Sequence, residues 1–222
     1  MSNFAVIGLG RFGVKLAEYL TKQGAQVLAI DNSKELVEEV KEKVSRAVIL
    51  DATDEDALKS MGLKEMDAVV VAMGEHFEAS VLCVAIAKKL GIKRVIAKAT
   101  SDLQGEILKL VGATEVVFPE DGEAKRVARS LVEPNILDHI RITDRQSVVK
   151  MRVPKKFVGK SIIDLNLRQK YNVTVLEITS SEEGRTLTTT MPAPDYVFSE
   201  NEQMVVIGEK GAIEKFKKTF GE

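Results

Sequence analysis

Short apolar runs alternate with segments of helical period through the first half of the chain. Six of these runs show little polar alternation, as is typical of parallel strands buried on both faces. The segments between them have the apolar spacing of helices that cover a parallel sheet. The six predicted strands span residues 4–7, 26–30, 47–50, 68–72, 95–99 and 116–118. We therefore predict an α/β fold with a Rossmann-like, doubly wound parallel sheet.

The pattern changes near Glu133-Pro134, where a helix predicted over residues 122–132 must end because proline cannot continue it. We place the domain boundary here, with domains at residues 1–135 and 136–222. The second domain is predicted to be a small α+β module, marginal in stability alone and suited to dimerisation. Its elements are strands 147–153, 173–178, 186–190 and 204–207, a helix opened by Ser161-x-x-Asp164, a turn at 180–184 and a final helix at 212–220.

Composition narrows the range of partners. The net charge of −1 on 222 residues gives no field that would attract nucleic acid, so none is predicted as a partner. No apolar run approaches the roughly 18 residues of a transmembrane helix, and the first strand begins almost at once. We expect a cytoplasmic chain that is complete at its start. Cys83 is the only cysteine, and we expect it to serve in packing.

A glycine-rich loop follows the first predicted strand and opens the first helix. Gly8 permits a tight turn, Gly10 allows close approach of a phosphate, and Gly13 allows the helix to pack against the sheet. The helix N-terminus attracts the phosphate, and Asp31 at the end of the second strand can accept hydrogen bonds from both ribose hydroxyls. Asp31 would also repel a 2′-phosphate. Together these features predict a nucleotide site.

The identity of the nucleotide is left open between NAD(H), ATP, ADP and AMP, which share an adenosine-phosphate half. Arg11 favours a terminal phosphate, because a neutral residue would be sufficient beside a pyrophosphate in the middle of a cofactor. The alternative is that Arg11 is a solvated residue at the start of a helix. The candidate nucleotide-binding residues are Gly8, Gly10, Arg11, Phe12, Gly13, Asp31, Asn32, Asp51, Ala52, Thr53, Met73, Gly74, Lys98 and Glu120.

Several of these candidates have a second interpretation. Asp51 and Thr53 can contact the adenine edge or cap the helix that begins near Asp54. Lys98 can pair with a phosphate or an acid, or remain a surface lysine. Glu120 can hold a cation against phosphate oxygens.

Enzymatic functions have little support in the sequence. His76, predicted in the loop after the fourth strand, and His139, predicted in the linker, have neither triad nor metal spacing. No Walker A motif, nucleophile elbow or CxxC motif is present. We therefore predict a nucleotide sensor and no enzyme. The alternatives are a small NAD(P)-dependent oxidoreductase and a simple nucleotide-binding interaction module.

Five segments together resemble one known family. They are FAVIGLGRFG at residues 4–13, Asp31, Ala52-Thr53-Asp54, FPED at 118–121 and SIIDLN at 161–166. Over essentially the whole chain, they resemble the KtrA/TrkA-type RCK regulatory subunits of prokaryotic potassium uptake systems. The resemblance implies an RCK N-lobe followed by an RCK C-lobe.

The resemblance also implies a mechanism. Homodimers would assemble into an octameric ring on a membrane potassium-translocating subunit of the KtrB/TrkH type, and exchange of ATP for ADP would change the shape of the ring. Arg11 would reach the γ-phosphate of the neighbouring protomer's ATP, and Glu120 would bind a Mg, Ca or Na ion beside the phosphates. Relatives divide between ATP/ADP and NAD(H), so NAD(H) remains the alternative ligand.

In the C-lobe, the resemblance implies a cyclic di-AMP site at a dimer interface. The matching residues are Ile162, Ile163, Asp164, Arg168 and Asn172. The alternative is that Ile162 and Ile163 belong to the core. The sequence does not specify the transported ion or the direction of gating.

Overall fold

The computed structural model describes residues 2–182 and 185–220. The chain forms two compact units, Met1–Glu123 and Ala124–Glu222. This division lies inside a helix, ahead of the boundary predicted after residue 135, which stays a prediction.

The first unit contains a six-stranded parallel sheet, as the apolar runs predict. The strand order is β3-β2-β1-β4-β5-β6, so the chain reverses its direction of winding between β1 and β4. This is the doubly wound order of dinucleotide-binding folds. The strands are β1 Asn3–Ile7, β2 Gln26–Asp31, β3 Arg46–Ile49, β4 Ala68–Val71, β5 Val95–Lys98 and β6 Glu115–Val117.

Helices cover both faces of this sheet. Alternate residues of β1 point to opposite sides: Ala5 and Ile7 pack in the same apolar cluster as Cys83 and Leu108, and Val6 packs in a second one. Burial on both faces explains why the inner strands β1, β2 and β4 lack polar alternation. The helices are α1 Arg11–Lys22, α2 Lys34–Val40, α3 Glu55–Ser60, α4 Phe77–Lys89 and α5 Asp102–Val111, with 3₁₀ turns at Lys41–Lys43 and Leu63–Glu65.

Helix α6 (Pro119–Val132) begins earlier than the predicted residue 122. Proline is well suited to the first helical position because its fixed φ is helical and its missing N–H would have no partner there. Glu120 and Asp121 follow in the first turn, where carboxylates interact favourably with the helix dipole. The helix ends at Val132, directly before Glu133-Pro134, as predicted.

The second unit contains a five-stranded antiparallel sheet in the order β10-β9-β11-β8-β7. Ser147, Val149 and Met151 alternate with more exposed residues along β8, so one face of that strand is buried. This is the pattern of an antiparallel sheet with one covered face. The strands are β7 Ile136–Arg141, β8 Gln146–Arg152, β9 Val173–Glu182, β10 Arg185–Thr190 and β11 Gln203–Glu209.

An aromatic cluster forms the core of the second unit. Phe216 lies with its ring centroid 5.0 Å from Phe220, 5.6 Å from Tyr171 and 6.3 Å from Phe157. Phe198 packs on Phe157 at 5.8 Å. Aromatic rings bury large areas, which suits a unit with few residues to fill its core. The helices are α7 Ile162–Leu165, α8 Leu167–Tyr171 and α9 Lys210–Phe220, with a 3₁₀ turn at Lys155–Phe157.

The structure corrects the sequence analysis in this unit. His139 lies in β7, an unpredicted strand, and not in a linker. Its Nε2 atom is buried without a hydrogen-bond partner among the described residues, and burial lowers the pKa of the imidazole. Helix α8 was also not predicted. The turn predicted at 180–184 is partly wrong, because β9 continues to Glu182, and residues 183 and 184 lie outside the described residues.

None of the helices described at residues 2–182 and 185–220 has the length and apolar character needed to span a bilayer.

Candidate functional site

A wide cleft lies at the carboxyl edge of the parallel sheet. It includes the ends of β1 and β4, between which the strand order reverses, and this is where open α/β sheets bind ligands. Its volume is about 1810 Å³. The residues predicted from the sequence that line it are Gly8, Gly10, Arg11, Phe12, Asp31, Asn32, Asp51, Ala52, Thr53, Met73, Gly74, Lys98 and Glu120. Gly13 does not line the cleft.

The loop after β1 has a backbone that requires glycine at its first position. Gly8 has φ +93°, and a Cβ there would lie 2.6 Å from Cγ of Met73. At Gly10, by contrast, φ is an ordinary −66°, and a Cβ would meet nothing within 4 Å. Gly10 is the N-cap of α1, and no side chain caps it. The first N–H groups of α1 are therefore available to an anion at a point that the backbone leaves open.

Gly13 lies behind this loop, at the contact between α1 and the sheet edge. A Cβ at Gly13 would lie 1.9 Å from the carbonyl oxygen of Gly8 and 3.4 Å from Cβ of Ala72. Any side chain would therefore push the helix away from the loop. Gly13 acts on the cleft through packing.

Asp31 ties the end of β2 to the glycine loop. Its Oδ2 accepts a hydrogen bond from the Leu9 amide at 2.7 Å, and its Oδ1 accepts one from the Ser33 amide at 2.8 Å. A carboxylate has about four acceptor positions, so capacity remains for ribose hydroxyls. The predicted ribose contact stays a prediction, and the structure adds a role for Asp31 in fixing the loop.

Asp51 and Thr53 form a local turn and do not cap helix α3. Asp51 Oδ1 accepts hydrogen bonds from the Thr53 amide at 2.9 Å and the Thr53 hydroxyl at 2.7 Å, and these bonds lower the pKa of Asp51. The N-cap is Asp54, which accepts from the Ala57 amide at 3.0 Å. The capping role considered for Asp51 and Thr53 is therefore wrong. Both side chains remain in the cleft wall.

Lys98 and Glu120 form an ion pair at the end of β5. Lys98 Nζ lies 2.6 Å from Glu120 Oε1, and this hydrogen bond is the main reason that the pKa of Glu120 is lowered. The lysine side chain is 13% exposed and the glutamate 66% exposed. Of the three roles considered for Lys98, the structure shows the pairing with an acid.

A cation at Glu120 would need ligands from outside the protein. The part of the chain that the structure describes contains no group of three or more His, Cys, Asp or Glu residues placed to hold a metal ion. Mg²⁺ is commonly bound by one or two carboxylates together with nucleotide phosphates. Glu120 therefore fits a cation that arrives with phosphate oxygens, and the predicted metal role stays a prediction.

Arg11 is exposed at the rim of the cleft. It begins α1, directly after Gly10. Within residues 2–182 and 185–220 its guanidinium makes no hydrogen bond or ion pair. The Arg11 guanidinium beside the phosphate loop thus has no partner in the described part of the chain, in contrast to Lys98.

A charged group that was not predicted from the sequence also lines the cleft. Glu18, with a side chain only 13% exposed, pairs with Lys15 and with Lys43, each at 3.0 Å. The Lys15 and Lys43 hydrogen bonds lower the pKa of Glu18. The i, i+3 spacing of Lys15 and Glu18 on α1 was visible in the sequence, but the contact with Lys43 depends on the fold. His76, which has neither triad nor metal spacing in the sequence, also lines the cleft.

The residues considered for cyclic di-AMP lie around α7 and α8 and differ in environment. Ile162 packs against the core, while Ile163 is 66% exposed. Asp164 completes a capping box with Ser161, which lowers the pKa of Asp164 through hydrogen bonds from the Ser161 hydroxyl and amide. The last two residues of the set, Arg168 and Asn172, are exposed. The core alternative thus holds for Ile162 and not for Ile163.

The doubly wound sheet, the open glycine loop and the carboxylate at the end of β2 define a nucleotide-binding domain. The TrkA-N domain family matches residues 4–119, and the TrkA-C domain family matches residues 148–221. The chain is 36% identical over 215 residues to Ktr system potassium uptake protein C of Bacillus subtilis (strain 168), covering 97% of this chain and 96% of the relative. The chain belongs to this family of TrkA-N and TrkA-C potassium uptake proteins.

Solved structures agree on the fold. The GsuK channel superposes with a TM-score of 0.69 at 18% identity, covering 100% of this chain and 40% of that one. The NAD(P)-binding domain of an exopolyphosphatase-related protein from Archaeoglobus fulgidus superposes with a TM-score of 0.53 at 29% identity, covering 60% of this chain and 98% of that one. The first likeness extends over both units of the chain.

Proposed function

We propose that this protein is a nucleotide-sensing regulatory subunit of a potassium uptake system and that ATP and ADP control it from the cleft of the first unit. The observation that carries the proposal is the Arg11 guanidinium beside the open N-terminus of α1, which has no hydrogen-bond or ion-pair partner among the described residues. A cation and unpaired N–H groups at one point favour a ligand with phosphate charge. Because the chain belongs to the TrkA-N and TrkA-C potassium uptake family, we expect the ligand to control a potassium uptake system.

A switch needs a ligand contact that differs between two states. ATP and ADP share the adenosine half, so Asp31 and the glycine loop would bind both alike. An arginine that contacts only the γ-phosphate would bind ATP alone, and such a differential contact can shift a conformational equilibrium. In the proposed assembly Arg11 reaches the nucleotide of a neighbouring protomer.

The second candidate is an NAD(H)-responsive regulator of the same type. The relative from Archaeoglobus fulgidus is named as an NAD(P)-binding domain. The cleft volume of about 1810 Å³ exceeds the usual 300 to 1,000 Å³ of ligand pockets. The cleft is therefore large enough for either ATP or NAD(H). Asp31 would bind the ribose of both. The choice therefore rests on Arg11.

We assign no catalytic activity to the chain. A small NAD-dependent oxidoreductase would need an acid or base beside the nicotinamide, and His76 in the cleft wall is the residue to examine. Reduction of NAD with a small substrate, lost in His76→Gln, would establish that alternative and contradict the regulatory role.

The proposed partners are copies of the same chain and a membrane subunit of the KtrB/TrkH type. The second unit exposes large apolar side chains on the last turn of α6 and on β7, including Leu131, Val132 and Ile140. Exposed apolar patches mark protein association sites, and Leu131 and Val132 are neighbours in the chain at the end of α6. They support homodimers that assemble into an octameric ring at the inner face of the membrane, and the protein would then be cytoplasmic.

A second ligand, cyclic di-AMP, is proposed for the α7–α8 region. The exposed Ile163 offers an apolar contact for a base, and the exposed Arg168 offers a guanidinium to a phosphate. Calorimetry with cyclic di-AMP tests this, with Arg168→Ala expected to abolish binding. Binding that is unchanged in this variant would contradict the site.

Calorimetry with ATP, ADP and NADH on the full chain tests the proposed function. Tighter binding of ATP than of ADP or NADH is the expected result. If NADH binds best, the second candidate replaces the first. Light scattering tests the assembly, with the mass of an octamer expected and that of a monomer contradicting it.

A further inference from the structure

His139 lies at the β7 edge of the second sheet and points to its covered face. It is paired with Val149 of β8, and residues directly opposite in an antiparallel pair share a face. Val149 is fully buried in the same apolar cluster as Phe216, so this is the face that α9 covers. The Nε2 atom of His139 is buried without a hydrogen-bond partner among the described residues. Such an atom needs an explanation, because leaving a buried polar group unsatisfied costs free energy.

A buried lysine close to this histidine ties two helices together. The Lys217 side chain is only 8% exposed, and its Nζ lies 2.9 Å from Oε2 of Glu133 and 3.6 Å from Oε2 of Glu214. Lys217 and Glu214 belong to α9, whereas Glu133 directly follows the last residue of α6. The ion pair with Glu133 therefore attaches α9 to the end of α6.

The helices around His139 favour its neutral form. Burial lowers the pKa of the imidazole most, and the Lys217 ammonium lowers it further. Arg129 on α6 acts in the same direction, while Glu214 and Glu133 act against it. Both of these carboxylates are already in contact with Lys217.

The neighbouring strands place a further cation on this face. Arg141 is two residues along β7 from His139 and therefore on the same side of the strand. Ser147 and Val149 of β8, which lie opposite Arg141 and His139, are uncharged. Asp138 is on the other side of β7, and its Oδ1 accepts a hydrogen bond from the backbone amide of His139 at 2.8 Å. An imidazolium at His139 would thus depend on the carboxylates that Lys217 already contacts.

Protonation would bring a competing cation into this cluster. An imidazolium has an N–H on both ring nitrogens, so the buried Nε2 becomes a donor that carries charge beside the Lys217 ammonium. It must then take a carboxylate from the lysine or reach water. Glu133 is 31% exposed, so its ion pair can open towards solvent while α9 stays packed through Phe216.

We propose that His139 is an acid-sensitive switch, in which a proton on the imidazole displaces Lys217 from Glu133 and detaches α9 from the end of α6. This inference goes beyond the proposed nucleotide-sensing function and does not depend on the cleft. In the attached arrangement the imidazole is buried and neutral. In the released arrangement it is solvated and takes up a proton near its ordinary pKa of about 6.5. The released arrangement binds more protons, so it gains as the pH falls below about 6.5, and the attached arrangement is favoured above that value.

Hydrogen exchange of the full chain, followed by mass spectrometry at pH 7.5 and pH 5.5 and corrected for the intrinsic exchange rate, measures the release. Two amides at the end of α6 report on it. The Glu133 amide donates to the Arg129 carbonyl at 2.8 Å, and the Ile136 amide donates to the Glu133 carbonyl at 2.9 Å. In wild type, the protection of peptides covering residues 129–136 should fall by about tenfold at pH 5.5. Both pH values lie above the ordinary pKa of Asp and Glu side chains, so these acids stay ionised.

Two variants and a matched control identify the group responsible. His139→Leu places an apolar side chain in the buried site and cannot take up a proton, so its protection should be equal at both pH values. In Lys217→Met both carboxylates are left to the imidazolium, so the fall on acidification should disappear. Lys215→Met, at an exposed position of the same helix, should respond to pH as wild type does.

A fall in protection that persists in His139→Leu would overturn the inference, as would equal protection of wild type at both pH values. If His139→Leu does not fold, Lys217→Met decides, and an acid response equal to that of wild type has the same meaning there. Failure of ATP to bind the cleft would overturn the proposed function and leave this inference standing.

Discussion

The two units of the chain differ in the kind of sheet they contain and in the side chains that fill their cores. In the first unit, aliphatic strands are buried on both faces, and the ligand site is made largely by backbone at glycines such as Gly8 and Gly10. In the second, an antiparallel sheet is stabilised by a cluster of large aromatic side chains around Phe216. A methyl group added at the tightly packed Gly13 should therefore destabilise the first unit, and truncation of a ring such as Phe216 should destabilise the second.

The largest effect is expected from truncating the aromatic cluster. Phe216 is fully buried in contact with three other rings, so Phe216→Ala should lower the free energy of unfolding by about 3–5 kcal/mol. Denaturant unfolding followed by tyrosine fluorescence measures this. Leu187→Ala, at an exposed position of β10 in the same unit, should change it by less than about 0.5 kcal/mol. Equal effects would show that the cluster is not the core of this unit.

Adding one methyl group should be the more harmful change in the first unit. Gly13→Ala places a Cβ 1.9 Å from a backbone oxygen that cannot move freely, and such overpacking costs about 1–3 kcal/mol. Thermal unfolding measures this. The control is Gly211→Ala on α9, where a Cβ meets nothing within 4 Å. A Gly13→Ala protein as stable as the control would contradict the packing role.

Gly10→Ala separates ligand binding from stability. The position has ordinary φ and open space around a Cβ, so the melting temperature should not fall. The new methyl group occupies the space through which a phosphate approaches the first turn of α1, so nucleotide affinity should fall by about tenfold or more. Calorimetry beside thermal unfolding checks both parts. Retained affinity would place the phosphates elsewhere.

The smallest effect concerns the capping box of α7. Hydrogen bonds from Ser161 lower the pKa of Asp164 in the folded protein, so the carboxylate stabilises the fold above its unfolded pKa and loses this effect as pH falls through the folded value. The melting temperature of Asp164→Ala should thus be lower than that of wild type at pH 7. The difference should shrink below about pH 4.

Asp195→Ala, another exposed acid of the second unit, serves as the control and should follow wild type at both pH values. A difference between wild type and Asp164→Ala that stays constant with pH would contradict the role assigned to the carboxylate.

Sequence reasoning predicted the fold well where burial is two-sided. All six parallel strands were found. The inner strands β1, β2 and β4 are buried on both faces and therefore read as apolar runs. The edge strands β3 and β6 are only partly buried, but their sequences are still mostly apolar. Strand β7 was missed because its sequence, ILDHIR, has polar residues at its centre and only Ile136 is buried. Its pairing with β8 is also irregular between Ile136 and Asp138, which removes the alternation that marks a strand.

The site was predictable in its location and less so in its contacts. The glycine spacing and Asp31 locate the cleft, since the fingerprint fixes their place in the fold. The contact of Lys98 with Glu120 joins residues far apart in sequence, so only side-chain geometry reveals it. The hydrogen bond from the Leu9 amide to Asp31 likewise joins residues on different elements. The choice of Asp54 as the N-cap of α3 depends on the local backbone geometry.

The central claim is that Arg11 distinguishes ATP from ADP in the cleft. Calorimetry of both nucleotides on wild type, Arg11→Ala and Arg46→Ala tests it most directly, because Arg46 is an exposed arginine of the same unit that does not line the cleft. We predict that wild type and Arg46→Ala bind ATP more tightly than ADP and that Arg11→Ala loses this preference while keeping its affinity for ADP. Tightest binding of NADH, with no effect of Arg11→Ala, would contradict the claim.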